Sequence, residues 1–369
     1  MIRHPRNFFT PFVGSLVGAM TATAVATLTI PAHAADGAIR IGIAAPLSGS
    51  SAILGDQVRT AATAAASAAT DLAPVAADTA CSAEGGAEAA GTLVAAKVDA
   101  VVGFLCTEAL EAALPILSPA GIPVIVSGVR ANRFTDTRDR TKSLVWRVAP
   151  RAQAEADAVA KDLAVRWHDV PFALVDDGSI YGRGLSDAVR SRLGANGLRA
   201  ATIDNYRPAE EKQFGLVRRI LASGVTHVLI AGDRPDVAII ARDAASLDLN
   251  LDIVGGETLL DEATPDVPLQ RGVHAIAPRN RFESIASGGD ASPEDRQGYF
   301  GPSFVATEIA VAAVRASHIN GRPIADLLNT AAFATALGQI RFDAVGDSNL
   351  DLFQVFRFDG TKFVPEAGG

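Results

Sequence analysis

Short β-branched runs alternate along the chain with longer segments whose apolar residues recur every three or four positions. Ile39-Arg40-Ile41-Gly42-Ile43-Ala44, Ala100-Val101-Val102-Gly103-Phe104 and Pro123-Val124-Ile125-Val126 read as strands, with a weaker one over 75–79. The stretches 55–69, 87–98 and 108–117 between them read as helices. The pattern restarts after Val145-Trp146-Arg147-Val148. Helices are predicted over 152–167, 182–193, 210–222 and 236–245, and strands over 172–175, 201–206, 227–230 and 253–255. The 210–222 segment is amphipathic, with Phe214, Val217, Ile220 and Leu221 on one face. A Gly- and Ser-rich loop at 287–293, a helix over 304–319 and strands near Ile340 and Phe353 complete the chain, and on pattern alone they fit either unit. Such alternation implies two α/β units with doubly wound parallel sheets. Ligands of open parallel sheets bind beyond the carboxyl ends of the strands. That rule selects 46–54, Cys81, Cys106-Thr107, 127–130, 176–181, Asp233 and Glu257. Two sheets facing one another would gather these around one cleft.

Composition adds a compartment. Arg3 and Arg6 precede an uncharged apolar or small-residue stretch over 8–30, and Ala32-His33-Ala34 fits a small-x-small cleavage site. The stretch is long enough to raise a membrane anchor, a reading that Pro11, Pro31 and the many small residues weaken. A signal peptide over 1–34 is therefore expected, with export to the periplasm and no membrane span in the mature chain. Its removal takes away two cations and no acid, so the net charge of −8 becomes −10. That balance argues against nucleic acid, which calls for a basic stripe. The mature length exceeds one ordinary core, so two domains are expected. Cys81 and Cys106, an even pair in an oxidising compartment, suggest a disulfide.

The strand ends carry a resemblance. Ile-Gly-Ile-Ala-Ala-Pro-Leu-Ser-Gly from Ile41, with Gly55-Asp56-Gln57 after it, is similar to the opening of the periplasmic leucine/isoleucine/valine-binding proteins of ABC transporters. Asp78-Thr79-Ala80-Cys81 and Val102-Gly103-Phe104-Leu105-Cys106-Thr107 resemble that family's disulfide-bearing segments. Ala120-Gly121-Ile122-Pro123-Val124-Ile125, the run Asp176 to Leu185, Glu211-Lys212-Gln213-Phe214 and Gly255-Gly256-Glu257 follow in order. The resemblance implies a type I periplasmic-binding fold of two lobes joined by three crossovers. One lobe would take 36–149 and 279–352, the other 150–278 and 353–369. It further implies a small-molecule ligand, a branched-chain or related amino acid, bound between the lobes and delivered to ABC permease and ATPase subunits.

By the same resemblance, Thr107 holds a ligand carboxylate, a role its hydroxyl and a helix start suit, although an N-cap threonine is common. Glu257 pairs with the ligand ammonium, and Tyr181 closes over the ligand unless it packs on its own helix. Ser127, Gly128 and Val129 offer backbone groups, and Phe304 either walls the pocket or belongs to the core. Three positions depart from the family pattern. Leu54 and Asp233 stand where aromatics are usual, and Arg130 where a small hydroxyl residue is usual. Arg130 is suited to a carboxylate; it binds an acidic group of the ligand, pairs with Asp233 across the closed cleft, or lies solvated at the surface. No nucleophile elbow, phosphate-binding loop or His-Glu-x-x-His metal motif occurs, and His168, His227, His274 and His318 are scattered. No catalytic residue, metal or cofactor is expected. A binding protein or sensor of the same fold for another small carboxylate or amide ligand, and a hydrolytic enzyme, stand as the alternatives.

Overall fold

The computed structural model describes residues 38–67, 71–261, 267–285 and 292–366. The predicted signal segment lies outside them, as do residues 287–291 of the predicted loop. Strands β1 (Ile39–Ala45), β2 (Leu72–Asp78), β3 (Ala100–Gly103), β4 (Val124–Val126) and β5 (Val145–Arg147) form one parallel sheet in the order β2-β1-β3-β4-β5. Period-two alternation sends Ile39, Ile41 and Ile43 to one face and Ala44 to the other. Helix α1 (Ala52–Ser67) covers the isoleucine face. Helices α2 (Ala83–Ala95) and α3 (Thr107–Leu117) cover the opposite face with Ala89, Ala90, Leu93, Ala109 and Leu110. Small residues let these two helices approach closely: a Cβ on Gly86 would lie 2.2 Å from the Ala109 carbonyl oxygen. The short helices α4 (Arg133–Asp136) and α5 (Arg138–Thr141) lead into β5.

After β5 the chain crosses to a second sheet through α6 (Ala154–Arg166). There β6 (Phe172–Asp176), α7 (Ile180–Ala195), β7 (Thr202–Asn205), α8 (Phe214–Ser223), β8 (His227–Ala231), α9 (Arg234–Ala245), β9 (Asp252–Gly255) and β10 (His274–Pro278) follow. It then returns to the first sheet with α10 (Phe300–Asn320), α11 (Ile324–Thr330) and the hairpin β11 (Phe333–Thr335)–β12 (Gly338–Ile340). Val305, Ile309 and Val314 of α10 pack in one core with β1. The chain crosses back to end in β13 (Phe353–Phe358) and β14 (Phe363–Pro365). The second sheet runs β14-β13-β10-β9-β8-β6-β7, parallel from β10 to β7 and antiparallel at β13 and β14. Helices α8 and α9 cover one face, and α6 and α7 the other. Both sheets are thus helix-covered on their two faces, the arrangement that parallel strands require.

Several sequence expectations shift. Helix α8 begins at Phe214 rather than near 210, because the Gln213 N–H donates to Asp243 Oδ2 (2.6 Å) and its amide to the Arg207 carbonyl (2.7 Å). The first bond ties the chain to α9 before the helix starts, and the second closes the loop back on Arg207. Leu216 joins Val217 and Ile220 in the core, while Leu221 is 48% exposed. Strands β10, β11 and β14 and helices α4, α5 and α11 are additions to the predicted pattern, and α2 and α10 each start four residues earlier than expected.

Candidate functional site

Arg130 follows β4 of the first sheet and Glu257 follows β9 of the second, so the carboxyl ends of two sheets meet at these side chains. Arg130 Nη1 donates to Glu257 Oε1 (2.8 Å) and Oε2 (3.0 Å). Both side chains are about 30% exposed, at 29% and 30%, so the pair is reachable from solvent. The Arg130 guanidinium also lies 5.7 Å from the centre of the Phe353 ring, and its Nε is buried without a partner.

Each half of the pair is braced from behind. The Glu257 backbone N–H donates to Glu155 Oε1 (2.8 Å), and Tyr181 Oη donates to the same oxygen (2.7 Å). Gly256 is required here, since a Cβ would sit 2.3 Å from Glu155 Oε1 and 2.4 Å from Tyr181 Oη. Burial, and then the charge of Glu257, push the Glu155 carboxyl above the usual carboxylate range. Burial, and then Glu155, raise the Tyr181 hydroxyl likewise.

On the other side, the Arg130 carbonyl accepts from Arg147 Nη1 (2.8 Å). Arg147 is 1% exposed and joins Asp347 Oδ1 (Nε 2.8 Å) and Thr135 Oγ1 (Nη2 3.0 Å). Arg151 contacts Asp347 and holds Asp136 at 2.8 and 3.0 Å. Asp347 lies on the segment returning to the second sheet and Arg151 on the segment leaving the first, so this ionic cluster ties the crossing strands together behind Arg130.

A cavity of about 510 Å³ opens beside the pair. Ser127, Gly128, Arg130, Glu257, Asn280 and Tyr299 line it, and Ala149, Pro150, Pro278 and Leu352 of the crossing segments form its floor. Burial raises the Tyr299 hydroxyl, and the Tyr299 N–H is held by Gln57 Oε1 at 2.9 Å.

The remaining predicted residues are placed as follows. Ser127 lines the cavity, but its N–H donates to the Gly103 carbonyl (2.8 Å) and its hydroxyl pairs with Ser303 (2.9 Å). Its backbone N–H is therefore already engaged. Val129 is 2% exposed and packs in the core shared by α2 and α3. Thr107 is the first residue of α3, half-buried, and does not line the cavity. Asp233 is exposed at the N-cap of α9 and makes no side-chain cap bond. The Arg130–Asp233 pair, one of the three alternatives for Arg130, is not present in this structure, where Arg130 pairs with Glu257. Tyr181 braces Glu155 and is not among the residues lining the cavity. Phe304 is a core residue, stacked on Phe300 at 5.9 Å, and Leu54 is 40% exposed. Cys81 and Cys106 are bonded, with Cα atoms 5.2 Å apart, joining the turn after β2 to the start of α3. Sequence reasoning missed Glu155, although the signal was there: it sits on the buried stripe of α6 with Ala156, Val159, Ala160 and Leu163.

Comparison with known proteins fits this geometry. Residues 38–356 match the family described as "Periplasmic binding protein". The chain is 25% identical to the Leu/Ile/Val-binding protein BraC3 of Rhizobium johnstonii, over 94% of this chain and 98% of that one. It is 25% identical to the leucine-, isoleucine-, valine-, threonine- and alanine-binding protein of Pseudomonas aeruginosa, over 92% and 95%. In fold it is similar to the leucine-binding protein LivK of Thermotoga maritima (TM-score 0.58, 18% identity, 89% of this chain and 98% of that one). It is also similar to a solute-binding protein of an R. palustris ABC transporter solved with 4-hydroxybenzoate (TM-score 0.60, 15% identity, 89% and 95%).

Proposed function

Because the chain belongs to the periplasmic binding protein family, whose members bind solutes rather than transform them, we propose that it captures an amino acid between its two sheets in the periplasm and hands it to an ABC permease powered by ATPase subunits. The observation that carries this reading is the Arg130–Glu257 pair at the cavity wall, one partner from each sheet. An amino acid presents the same two charges in complementary order. Its carboxylate replaces Glu257 on Arg130, and its ammonium replaces Arg130 on Glu257, so the ligand inserts into the pair. Binding then involves groups from both lobes, 36–149 with 279–352 and 150–278 with 353–369. A ligand favours the closed form only through such differential contact. Glu155 and Tyr181 act as positioning residues that hold Glu257, and the disulfide steadies the start of α3 where Thr107 sits.

A second reading, an aromatic carboxylate, is favoured by the guanidinium lying against Phe353 with Tyr299 in the same wall. The R. palustris protein bound to 4-hydroxybenzoate shares the fold. Calorimetry with leucine, isoleucine, glutamate and 4-hydroxybenzoate separates the two. For an amino-acid ligand, Glu257→Gln removes a charge-assisted bond worth about 1.5–3 kcal/mol, a loss of roughly 10- to 150-fold in affinity. If no amino acid binds, and Glu257→Gln tightens the hydroxybenzoate instead, the amino-acid reading is wrong.

A further inference from the structure

A second cavity, of about 680 Å³, shares Leu260, Arg279 and Asn280 with the first, and its walls are basic. Arg234, Arg279, Arg281 and Lys362 line it against a single lining acid, Glu283. That excess of cations stands out in a chain of net charge −8.

Two of the guanidiniums are held in place by neutral acceptors among the described residues. Arg234 lies over the rings of Phe358 (5.2 Å) and Phe363 (5.5 Å), and its Nη1 donates to the Asp261 carbonyl (3.1 Å). Arg279 lies over Phe282 (5.1 Å), with Nε on the Arg281 carbonyl (2.8 Å) and Nη2 on Ser284 Oγ (3.1 Å). Their acceptors are carbonyls, a hydroxyl and ring faces, so neither forms an ion pair among the described residues. Arg130, Arg147, Arg151 and Arg166, in contrast, all touch carboxylates. Arg234 Nε is buried with no hydrogen-bond partner among the described residues, and burial lowers its basicity. Among the described residues, the Arg281 side chain pairs only with the exposed Glu283 (3.3 Å). The Lys362 ammonium makes no hydrogen bond or ion pair among the described residues. Asp359, which feels its charge, is already occupied by the N–H groups of Thr361 and Lys362 and by the Thr361 hydroxyl.

We propose that this cavity is an anion site for a small oxyanion of two or more charges, of the phosphate or polycarboxylate class. Planar guanidiniums fit such oxygens bidentately. Here two are pre-oriented by neutral acceptors, so little ordering is needed on binding. The proposal is independent of what occupies the cleft.

Calorimetry at low ionic strength tests it with inorganic phosphate and with citrate, using KCl at matched ionic strength as control. Saturable binding is expected, weakened about tenfold or more by Arg281→Gln with Lys362→Gln, as loss of charge-assisted contacts predicts. Both residues are exposed, so the fold should survive, and cleft binding of the amino acid should be unchanged in this variant. Anion binding should persist in Arg130→Gln with Glu257→Gln. A response that KCl reproduces overturns the site. So does anion binding that survives the Arg281/Lys362 changes but is lost with the Arg130/Glu257 changes, which would place the anion in the cleft.

Discussion

Replacing Asp347 by Asn should cost the fold about 3–5 kcal/mol, the range for removing one partner of a buried ion pair. Arg147 is 1% exposed and Asp347 6% exposed, and their contacts measure 2.8 and 2.6 Å. With charge centres about 4 Å apart and an effective dielectric of about 20, the attraction is about 4 kcal/mol. Arg151 also touches Asp347, but its side chain is 26% exposed and keeps Asp136, so its share is small. Asn preserves an acceptor but not the charge. Arg147 is then left buried against neutral groups only, the Arg130 carbonyl and Thr135 Oγ1. At about 2–4 °C per kcal/mol for a chain above 150 residues, the melting temperature should fall by about 6–20 °C. Urea titration is the assay. Trp146 lies in β5 of the first sheet and Trp167 just after α6 of the second, so Trp167→Phe isolates the signal of the first unit. Arg147→Met combined with Asp347→Leu should recover at least half of the loss, because no charge then stays buried alone. A loss under about 1 kcal/mol for Asp347→Asn, or a double variant no more stable than the single, would refute this account of the cluster.

Other predictions follow from single contacts. Glu155→Gln keeps an acceptor for Tyr181 Oη and the Glu257 N–H while removing a desolvated charge. The folded-state carboxyl titrates above its ordinary 4.5, so the native state binds the proton more tightly. Its contribution is therefore complete at low pH and is lost as pH rises from that value. Melting curves should show the variant more stable than the parent near neutral pH, with the gap closing toward about pH 4; a gap independent of pH would sink this. Cys81→Ser with Cys106→Ser opens a loop of sequence separation 25 and should cost about 3–4 kcal/mol by chain entropy. Unchanged denaturation midpoints would show that the reduced chain is already restrained there. Gly86→Ala drives a Cβ to 2.2 Å from the Ala109 carbonyl oxygen, a backbone atom that cannot swing aside. A loss of about 1–3 kcal/mol is expected by urea titration, and a neutral result would mean that α2 and α3 separate at little cost.

The strand–helix order was legible because it depends on local pattern. Ile39, Ile41 and Ile43 alternate as a pleat demands, and α9 and α3 show helical spacing with a definite start. The strand-end rule therefore selected Arg130 and Glu257 together without any contact being known. Where the pattern misled, a distant partner had intervened. Asp243 holds Gln213 and delays α8, so Leu216 rather than Leu221 faces the core.

Side-chain pairing is decided at a different level. Arg130 and Glu257 are 127 residues apart, Arg147 and Asp347 200 apart, and Tyr181 and Glu155 26 apart on different helices. Charge and spacing made Asp233 as good a partner for Arg130 as Glu257. Only the placement of β4 opposite β9 puts one carboxylate at 2.8 Å and leaves the other in solvent at a helix start. Nor does sequence distinguish Arg234 and Arg279 from the chain's other arginines, since their having only neutral partners among the described residues is a property of the walls around them. Periodicity is set by neighbours along the chain, so the sequence alone determined the two-sheet α/β order and the loops to inspect. Electrostatic partnership is set by distances of a few ångströms between remote segments, and only the packing of the two sheets decided that.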